Sequence, residues 1–128
     1  MANTTGLNKR IALSFTCVTN GNNQASIQVN LNEAAVGNNF EDNTQTAGTA
    51  SWTAVGLGNL SSVDVIALVN LDLSNYVQVA VDNSGAHIIA RLQPYPGAPA
   101  FLPLDPTTTL YFKANTASCF VQVTAAEP

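Results

Sequence analysis

The sequence predicts an all-β protein, a single-domain antiparallel β-sandwich of eight or nine short strands. Short runs rich in β-branched and apolar residues recur along the chain, and clusters of Asn, Gly, Pro, Asp and Ser separate them. No stretch has the period of an amphipathic helix of three turns, and no internal repeat is visible. A chain of 128 residues has the length of one domain. This many strands pack as two sheets, in a jelly-roll or immunoglobulin-like topology between which the pattern does not choose.

Residues 1–8 are polar and aperiodic, which predicts a flexible arm ahead of one domain over residues 9–125. An arm of this kind can order against a partner, so Asn3 is a candidate contact residue. The opening MANTTGLNKR lacks the apolar core of a secretory signal, and no run approaches the length that spans a bilayer. We therefore expect the protein to remain in the cytoplasm where it is made, unless lysis or a dedicated export machine releases it.

The first two strands are predicted to form a hairpin. Apolar and polar residues alternate strictly from residue 11 to 17 and again from 27 to 31, and the turn sequence Asn20-Gly21-Asn22-Asn23 separates the two runs. Each strand should be half-buried. Cys17 falls in register with the apolar positions and is predicted to be a small buried side chain.

The region from residue 32 to 48 has no sustained period, which predicts a long loop, with room for one helical turn near Glu33. Loops of this length in compact domains are commonly functional, so Phe40 is a candidate contact residue. A weak strand is expected over residues 49–55, and it carries Trp52, the single tryptophan.

Residues 63–92 read as an antiparallel β-meander of three strands. The first run is apolar on both parities, which is typical of a central, doubly covered strand. The second, around Val77 and Val79, is apolar on one parity alone. A turn at residues 82–85 leads into a third strand, whose predicted core-facing residues are Ile88, Ala90 and Leu92.

Three prolines between residues 93 and 99 forbid a central strand and fix an extended or turning path, which makes Tyr95 and Pro96 candidate contact residues. A short strand follows, with Phe101 as an anchor. Two final strands are predicted from alternating patterns over residues 110–114 and 119–124, and Cys119 lies at an apolar position of the second.

The composition is unusual in its charge. Charged residues make up 9% of the chain, far below the quarter that is typical of soluble domains, and 15 asparagines and 13 threonines take their place. Free surfaces normally carry charge, whereas the centres of interfaces are depleted in it, so we expect neighbouring proteins to cover much of this exterior. The alternative is a secreted β-protein with a neutral, hydrated exterior. The net charge of −4 leaves no basic stripe, and we expect neither nucleic acid nor membrane as a partner.

No catalytic constellation is visible, so we predict a protein that is not an enzyme and holds no cofactor or metal. The two cysteines are expected to be reduced, although a disulfide between first and last strands stays open. His87 has no companions at metal-ligand spacing. The adjacent acids Glu41 and Asp42 leave a calcium site open, but solvated carboxylates are the simpler reading. The aromatic residues that could stack on sugars, or pack in the core or a subunit interface instead, are Trp52, Tyr95 and Tyr111.

Four segments carry a resemblance to a known class of protein. They are NLDLSNYVQV at residues 70–79, IARL at 89–92, FLPL at 101–104 and LYFKANT at 110–116. In this order they resemble the small all-β virion structural proteins of tailed bacteriophages. The resemblance covers residues 65 to 124, about half of the chain, and its motifs are structural rather than catalytic.

The resemblance implies a virion component on the capsid exterior, most plausibly a decoration or cement protein. Such a protein oligomerises, with a trimer natural at a three-fold junction, and binds the major capsid protein. A component of the tail or neck is the near alternative. A carbohydrate-binding β-sandwich is a second hypothesis, of a different class.

Overall fold

A computed structural model describes residues 8–34, 40–58 and 60–127. These residues form ten β-strands and no helix, so no helix among them could cross a membrane. The chain divides into two compact units, residues 1–38 and residues 39–128. The all-β antiparallel class predicted from the sequence is confirmed. The predicted range of one domain, 9–125, includes parts of both units, and each unit is described separately.

The first unit contains a β-hairpin of strands β1 (Asn8–Thr19) and β2 (Asn22–Ala34). Asn20 and Gly21 form the turn with φ of 53° and 80°. A two-residue turn with both φ angles positive is the type I′ geometry, which Asn-Gly favours because both residues tolerate that region. The strands pair antiparallel from Asn8 opposite Ala34 to Thr19 opposite Asn22, with one irregularity between Cys17 and Val18. The predicted hairpin is confirmed.

The predicted burial of this hairpin is wrong. Cys17 is exposed rather than buried, and Phe15 and Ile27, which lie opposite one another, are 64% and 63% exposed. The alternating pattern correctly indicates one apolar face, but a two-stranded hairpin by itself forms no core that could cover it.

The second unit contains eight strands. They are β3 (Phe40–Ala47), β4 (Thr53–Ala54), β5 (Val65–Asn70), β6 (Val77–Ala80), β7 (Ile88–Leu92), β8 (Ala100–Pro103), β9 (Tyr111–Ala114) and β10 (Cys119–Ala126). They form two four-stranded antiparallel sheets. The first sheet has the order β3-β10-β5-β8 and the second has the order β4-β9-β6-β7.

The strands of the second unit pair in a nested order. The first pairs with the last (β3 with β10), the second with the seventh (β4 with β9), the third with the sixth (β5 with β8), and the two middle strands with each other (β6 with β7). Two further pairings, β5 with β10 and β6 with β9, complete the sheets. The connectivity is therefore that of one long hairpin folded over on itself.

This nesting corrects the predicted meander. The strands β5 and β6 are consecutive in the chain but lie in different sheets, because residues 71–76 carry the chain from one sheet to the other. The central position of β5 is confirmed, since it pairs on both sides. The hairpin β6–β7 is also confirmed. Of its three predicted core residues Leu92 is buried and Ala90 packs against the core, whereas Ile88 is exposed beyond an irregularity at Val79/Ala80.

The predicted loop over residues 32–48 is wrong for most of its described part. Residues 40–47 form β3, an edge strand that pairs with β10 along its whole length. Its partly buried side chains are polar, Glu41, Asn43 and Gln45, and they bond one another or the backbone of Gly56. A strand whose two faces are both mostly polar lacks the apolar alternation by which strands are found in a sequence.

One apolar core lies between the two sheets. Its largest fully buried side chains come from both of them and include Ile66 and Leu68 of β5, Phe112 of β9 and Val121 of β10. Cys119 is buried in the same core, as predicted, and both cysteines are free thiols. The sandwich-like arrangement predicted from the sequence is confirmed.

Candidate interaction surfaces

The outward side of the first sheet is nearly free of charge. Inward-facing residues of its strands alternate with outward-facing ones, and cross-strand partners share a face. We call these outward residues the outer face of the first sheet. They are Phe40, Asp42, Thr44, Thr46, Val65, Ala67, Val69, Phe101, Pro103, Phe120, Gln122, Thr124 and Ala126.

The one charged residue of this face, Asp42, is engaged by the neighbouring strand. The hydroxyl of Thr124 donates to its Oδ1 at 3.0 Å and the side-chain amide of Gln122 does so at 3.4 Å. The rest of the face consists of hydroxyl, amide and apolar groups. Phe120 stands out among them, since it is a large apolar side chain that is 62% exposed near the start of β10.

A hydrogen-bonded cluster fixes the loops at one end of the sandwich. Asn70, which is 3% exposed, donates from its side-chain amide to the carbonyls of Asn75, Leu92 and Gln93 at 2.8, 3.1 and 3.3 Å. Its side-chain oxygen accepts the backbone N–H of Asp72 at 3.0 Å. One buried side chain thus ties the loop of residues 71–76 to the end of β7.

Asp72 continues this cluster. Its Oδ2 accepts the backbone N–H groups of Ser74 and Asn75 at 2.9 and 2.6 Å, as in an Asx-turn. These two backbone bonds, with a further bond from the Asn75 side chain, lower the pKa of the Asp72 carboxyl. Thr116 donates its hydroxyl to Asn75 Oδ1, which brings in the loop after β9. The segment NLDLSN therefore fixes its own loop through hydrogen bonds of its Asn and Asp side chains to the main chain.

The cluster presents apolar side chains to solvent. Leu71 is partly exposed and Leu73 is 76% exposed, and the backbone N–H of Leu71 bonds the carbonyl of Phe120 at 2.9 Å. The N–H of Tyr95 bonds the carbonyl of Asp72 at 2.7 Å. Leu73, Tyr95 and Phe120 thus belong to backbone segments that are joined directly at this end of the sandwich.

Tyr95 and Pro96 are exposed, as contact residues must be. They are joined by a cis peptide bond in the bend at residues 94–97. Phe40 and Phe101 lie on the outer face of the first sheet, Phe40 highly exposed and Phe101 half-buried opposite Ala67. The structure therefore brings four of the six predicted contact residues to the first sheet and the adjoining loop end. Asn3 lies outside the described residues.

Trp52 has an internal role. A Cβ atom placed on Gly85 would overlap its indole ring, so the ring lies directly against the backbone of the turn between β6 and β7. Gly85 also has a φ of 72°. Trp52 is half-buried there, which leaves less of its ring for a partner than the sequence suggests.

The outward side of the second sheet carries positive charge. Gln78 lies opposite Arg91 on β7 and opposite Lys113 on β9, so the three form one row across the sheet. The guanidinium carbon of Arg91 lies 4.3 Å from the ring centre of Tyr76, a cation–π geometry. The two sheets thus differ in the charge of their outer faces.

An open groove of about 650 Å³ adjoins the β6–β7 turn. Its lining is polar apart from Val81, and consists of Asp82, Asn83, Thr107, Thr108, Thr109 and Tyr111 beside that valine. His87 is exposed and bonds the carboxylate of Asp82 through its Nδ1, which lowers the pKa of Asp82 to about 2.

The acidic pair Glu41 and Asp42 does not converge, because successive residues of a strand point to opposite faces. Among the described residues no three His, Cys, Asp or Glu side chains lie close enough together to hold a metal ion.

Sequence reasoning missed Leu71, Leu73 and Phe120. Phe120 could have been found, because it is a bulky apolar residue at the polar parity of β10. Leu71 and Leu73 lie in a loop, where parity carries no information.

Comparisons with known proteins identify no relative: no family model matches the chain, and neither a curated protein nor a solved structure matches it.

Proposed function

We propose that the protein is a non-enzymatic structural component of a bacteriophage virion, a decoration or cement protein that oligomerises and bridges major capsid subunits on the capsid exterior. A trimer suits a three-fold junction between such subunits. A protein that binds the assembled shell and not the separate subunits lowers the free energy of the assembled state alone, and so stabilises the shell by mass action.

The outer face of the first sheet is the observation that carries this proposal. One of its thirteen residues is charged, and that carboxylate is already hydrogen-bonded by its neighbours. The exposed surface of a free protein carries roughly 25–35% charged residues, whereas the centre of an interface is depleted in them. A face with so little charge and with exposed Phe40 and Phe120 is suited to lie against another protein.

The nested strand order supports the same proposal at the level of fold. We propose that this nested order, in which eight strands pair first with last and inward to the middle pair in two four-stranded sheets, is a jelly-roll topology. Viral capsid proteins are among the classes that use it, as are lectins and cupins. Because a fold hosts many functions, the topology supports the proposal and the outer face carries it.

The experiment is an addition assay on shells. Shells of the phage that carries the gene would be prepared without this protein, and purified protein added to them. We expect saturable co-sedimentation and a rise in the temperature at which the shells open. Phe120→Lys should weaken binding at least about tenfold, because it places a charge in the contact. Asn83→Lys, which places the same charge in the exposed β6–β7 turn, should bind as the wild type does. Protein that leaves the shells unchanged at all concentrations would contradict the proposal.

A tail or neck location is the near alternative, and labelling of intact particles in electron micrographs distinguishes it from the head.

A carbohydrate-binding module is the second candidate function, and the groove beside Tyr111 favours it. Hydroxyl, amide and carboxylate groups around one aromatic ring are the groups that recognise sugars. A glycan array in which binding is lost on Tyr111→Ala, and kept on Tyr95→Ala, would support that function.

A further inference from the structure

The hairpin β1–β2 has one apolar face and one polar face. Four cross-strand pairs form the apolar side: Ile11 with Leu31, Leu13 with Val29, Phe15 with Ile27, and Cys17 with Ala25. We call these eight residues the hairpin apolar face. The next pairs in register point to the other side and are polar or small, as Ser14 with Gln28 and Thr16 with Ser26 show.

The residues of this face are largely exposed. Seven of its eight residues are exposed, and Ile11 is half-buried. A two-stranded hairpin alone is marginal in water, and it gains stability from a third strand or from cover on its apolar face. Within the described residues, the outer edges of β1 and β2 pair with no other strand, so twelve- and thirteen-residue edges stay open as well.

We infer that the hairpin apolar face is the surface through which copies of this chain associate, and that in the oligomer it packs against the same faces of the other copies. The face contains no charged residue, so two copies meet without repulsion or the burial of a charge. The four cross-strand pairs place the apolar residues of both strands on one side of the hairpin, so the same side of another copy presents matching apolar residues.

The available area agrees with this occupant. With ordinary side-chain areas, the exposed fractions leave roughly 600 Å² of apolar surface on each hairpin, so contact between two copies removes roughly 1,200 Å² from water. Specific protein interfaces begin at about that total.

This inference deepens the proposed function, because it assigns the oligomer contact to the hairpin and leaves the outer face of the first sheet for the capsid. The two can fail separately. A protein that associates through the hairpin but ignores shells contradicts the function alone. A protein that binds shells and self-associates equally well as wild type and as the Phe15→Lys/Ile27→Lys variant contradicts the hairpin contact alone.

The test is a native mass measurement over a dilution series of the full chain. We expect wild-type protein to form a discrete oligomer, and the double variant Phe15→Lys/Ile27→Lys to raise its dissociation constant at least about 100-fold, since two large apolar side chains are replaced by charges. The matched control is Thr16→Lys/Ser26→Lys, which adds the same charges at the adjacent cross-strand pair on the polar face. We expect it to keep the wild-type mass.

A second readout distinguishes a loss of association from a loss of the folded structure. Far-UV circular dichroism and the fluorescence of Trp52 report whether the sandwich is intact in each variant. Alkylation of Cys17 should be slow in the oligomer and fast after dilution or in the double variant. Wild-type protein that is monomeric throughout, or an apolar-face variant that associates as the wild type does, would overturn the inference. So would a double variant that lowers the melting temperature of a monomer without changing any mass.

Discussion

The buried side-chain amide of Asn70 donates to the main-chain carbonyl of Asn75 at 2.8 Å and closes the loop that carries the chain from the first sheet to the second. The same amide bonds the carbonyls of Leu92 and Gln93, at the end of β7. One polar side chain therefore ties the loop of residues 71–76 to the end of β7, which lies 22 residues further along the chain. The buried asparagine positions the exposed Leu71 and Leu73 at the end of the sandwich.

Replacement of Asn70 by Ala should destabilise the protein by about 2–4 kcal/mol. The substitution removes the donor for buried carbonyls and the acceptor for the N–H of Asp72, and unsatisfied buried groups cost about 1–3 kcal/mol each. Chemical denaturation followed by fluorescence measures the change. Asn115→Ala, the same truncation at an exposed position of the neighbouring loop, should change the free energy of unfolding by less than about 0.5 kcal/mol. Equal effects of the two substitutions would refute the role given to Asn70.

Replacement of Gly85 by Ala should cost roughly 1–3 kcal/mol and alter the emission of Trp52. The backbone of Gly85 has a positive φ, and a Cβ atom there would overlap the indole ring. Gly48 provides the control, because a Cβ atom there meets nothing within 4 Å and its φ is ordinary. A Gly85→Ala variant as stable as Gly48→Ala would show that the ring does not pack on this turn.

The Asp82–His87 contact predicts a pH dependence. The hydrogen bond from His87 lowers the pKa of Asp82 from 3.8 to about 2, so the folded chain favours the ionised carboxylate more than the unfolded chain does. The resulting stabilisation is present above about pH 4 and is lost as the pH falls towards 2.

The measurement for this contact is an NMR titration of the Asp82 carboxyl carbon. In His87→Ala the pKa of Asp82 should rise towards 3.8. The carboxyl of Asp105, whose pKa is lowered by the hydroxyl and backbone N–H of Thr107, is the internal control and should titrate as before. An unchanged Asp82 pKa in the variant would contradict the assignment.

Cys119 should resist alkylation in the folded protein. Its side chain is 1% exposed, and burial raises the pKa of its thiol, with Asp72 adding to the effect. Both the access and the thiolate that alkylation needs are therefore reduced. Peptide mapping after maleimide treatment should find Cys119 modified only in denaturant, and Cys17 modified in dilute native protein. Equal labelling of both thiols under native conditions would place Cys119 outside the core.

The strands whose inward residues are apolar could be predicted from the sequence. The alternation in β10 and β9 indicates the buried residues correctly, and the Asn-Gly pair indicates the first turn. The polar strand β3 could not be found in this way, because its stability comes from pairing with β10 and from contacts among amide and carboxylate side chains. The nested strand order could not be found either, since no local signal distinguishes a chain reversal within a sheet from a crossing between sheets.

The candidate surfaces were predicted in part. Low charge indicated a covered exterior, and the prolines indicated the exposed bend at Tyr95 and Pro96. The sequence could not show that Phe40, Phe101 and Phe120 share one face, because that depends on strand register between segments far apart in the chain. The apolar pattern of the hairpin is visible in the sequence, but an alternating pattern does not show whether an apolar face belongs to a core of the same domain or contacts another molecule.

The proposed function places the gene in a bacteriophage, and the most direct measurement of that central claim is an electron-microscopy reconstruction of the phage's shells with and without added protein. We predict extra density on the capsid exterior at sites that bridge neighbouring subunits, with the outer face of the first sheet against the shell and Phe120 inside the contact. Saturated shells without extra density, or density that places this face towards solvent, would contradict the account.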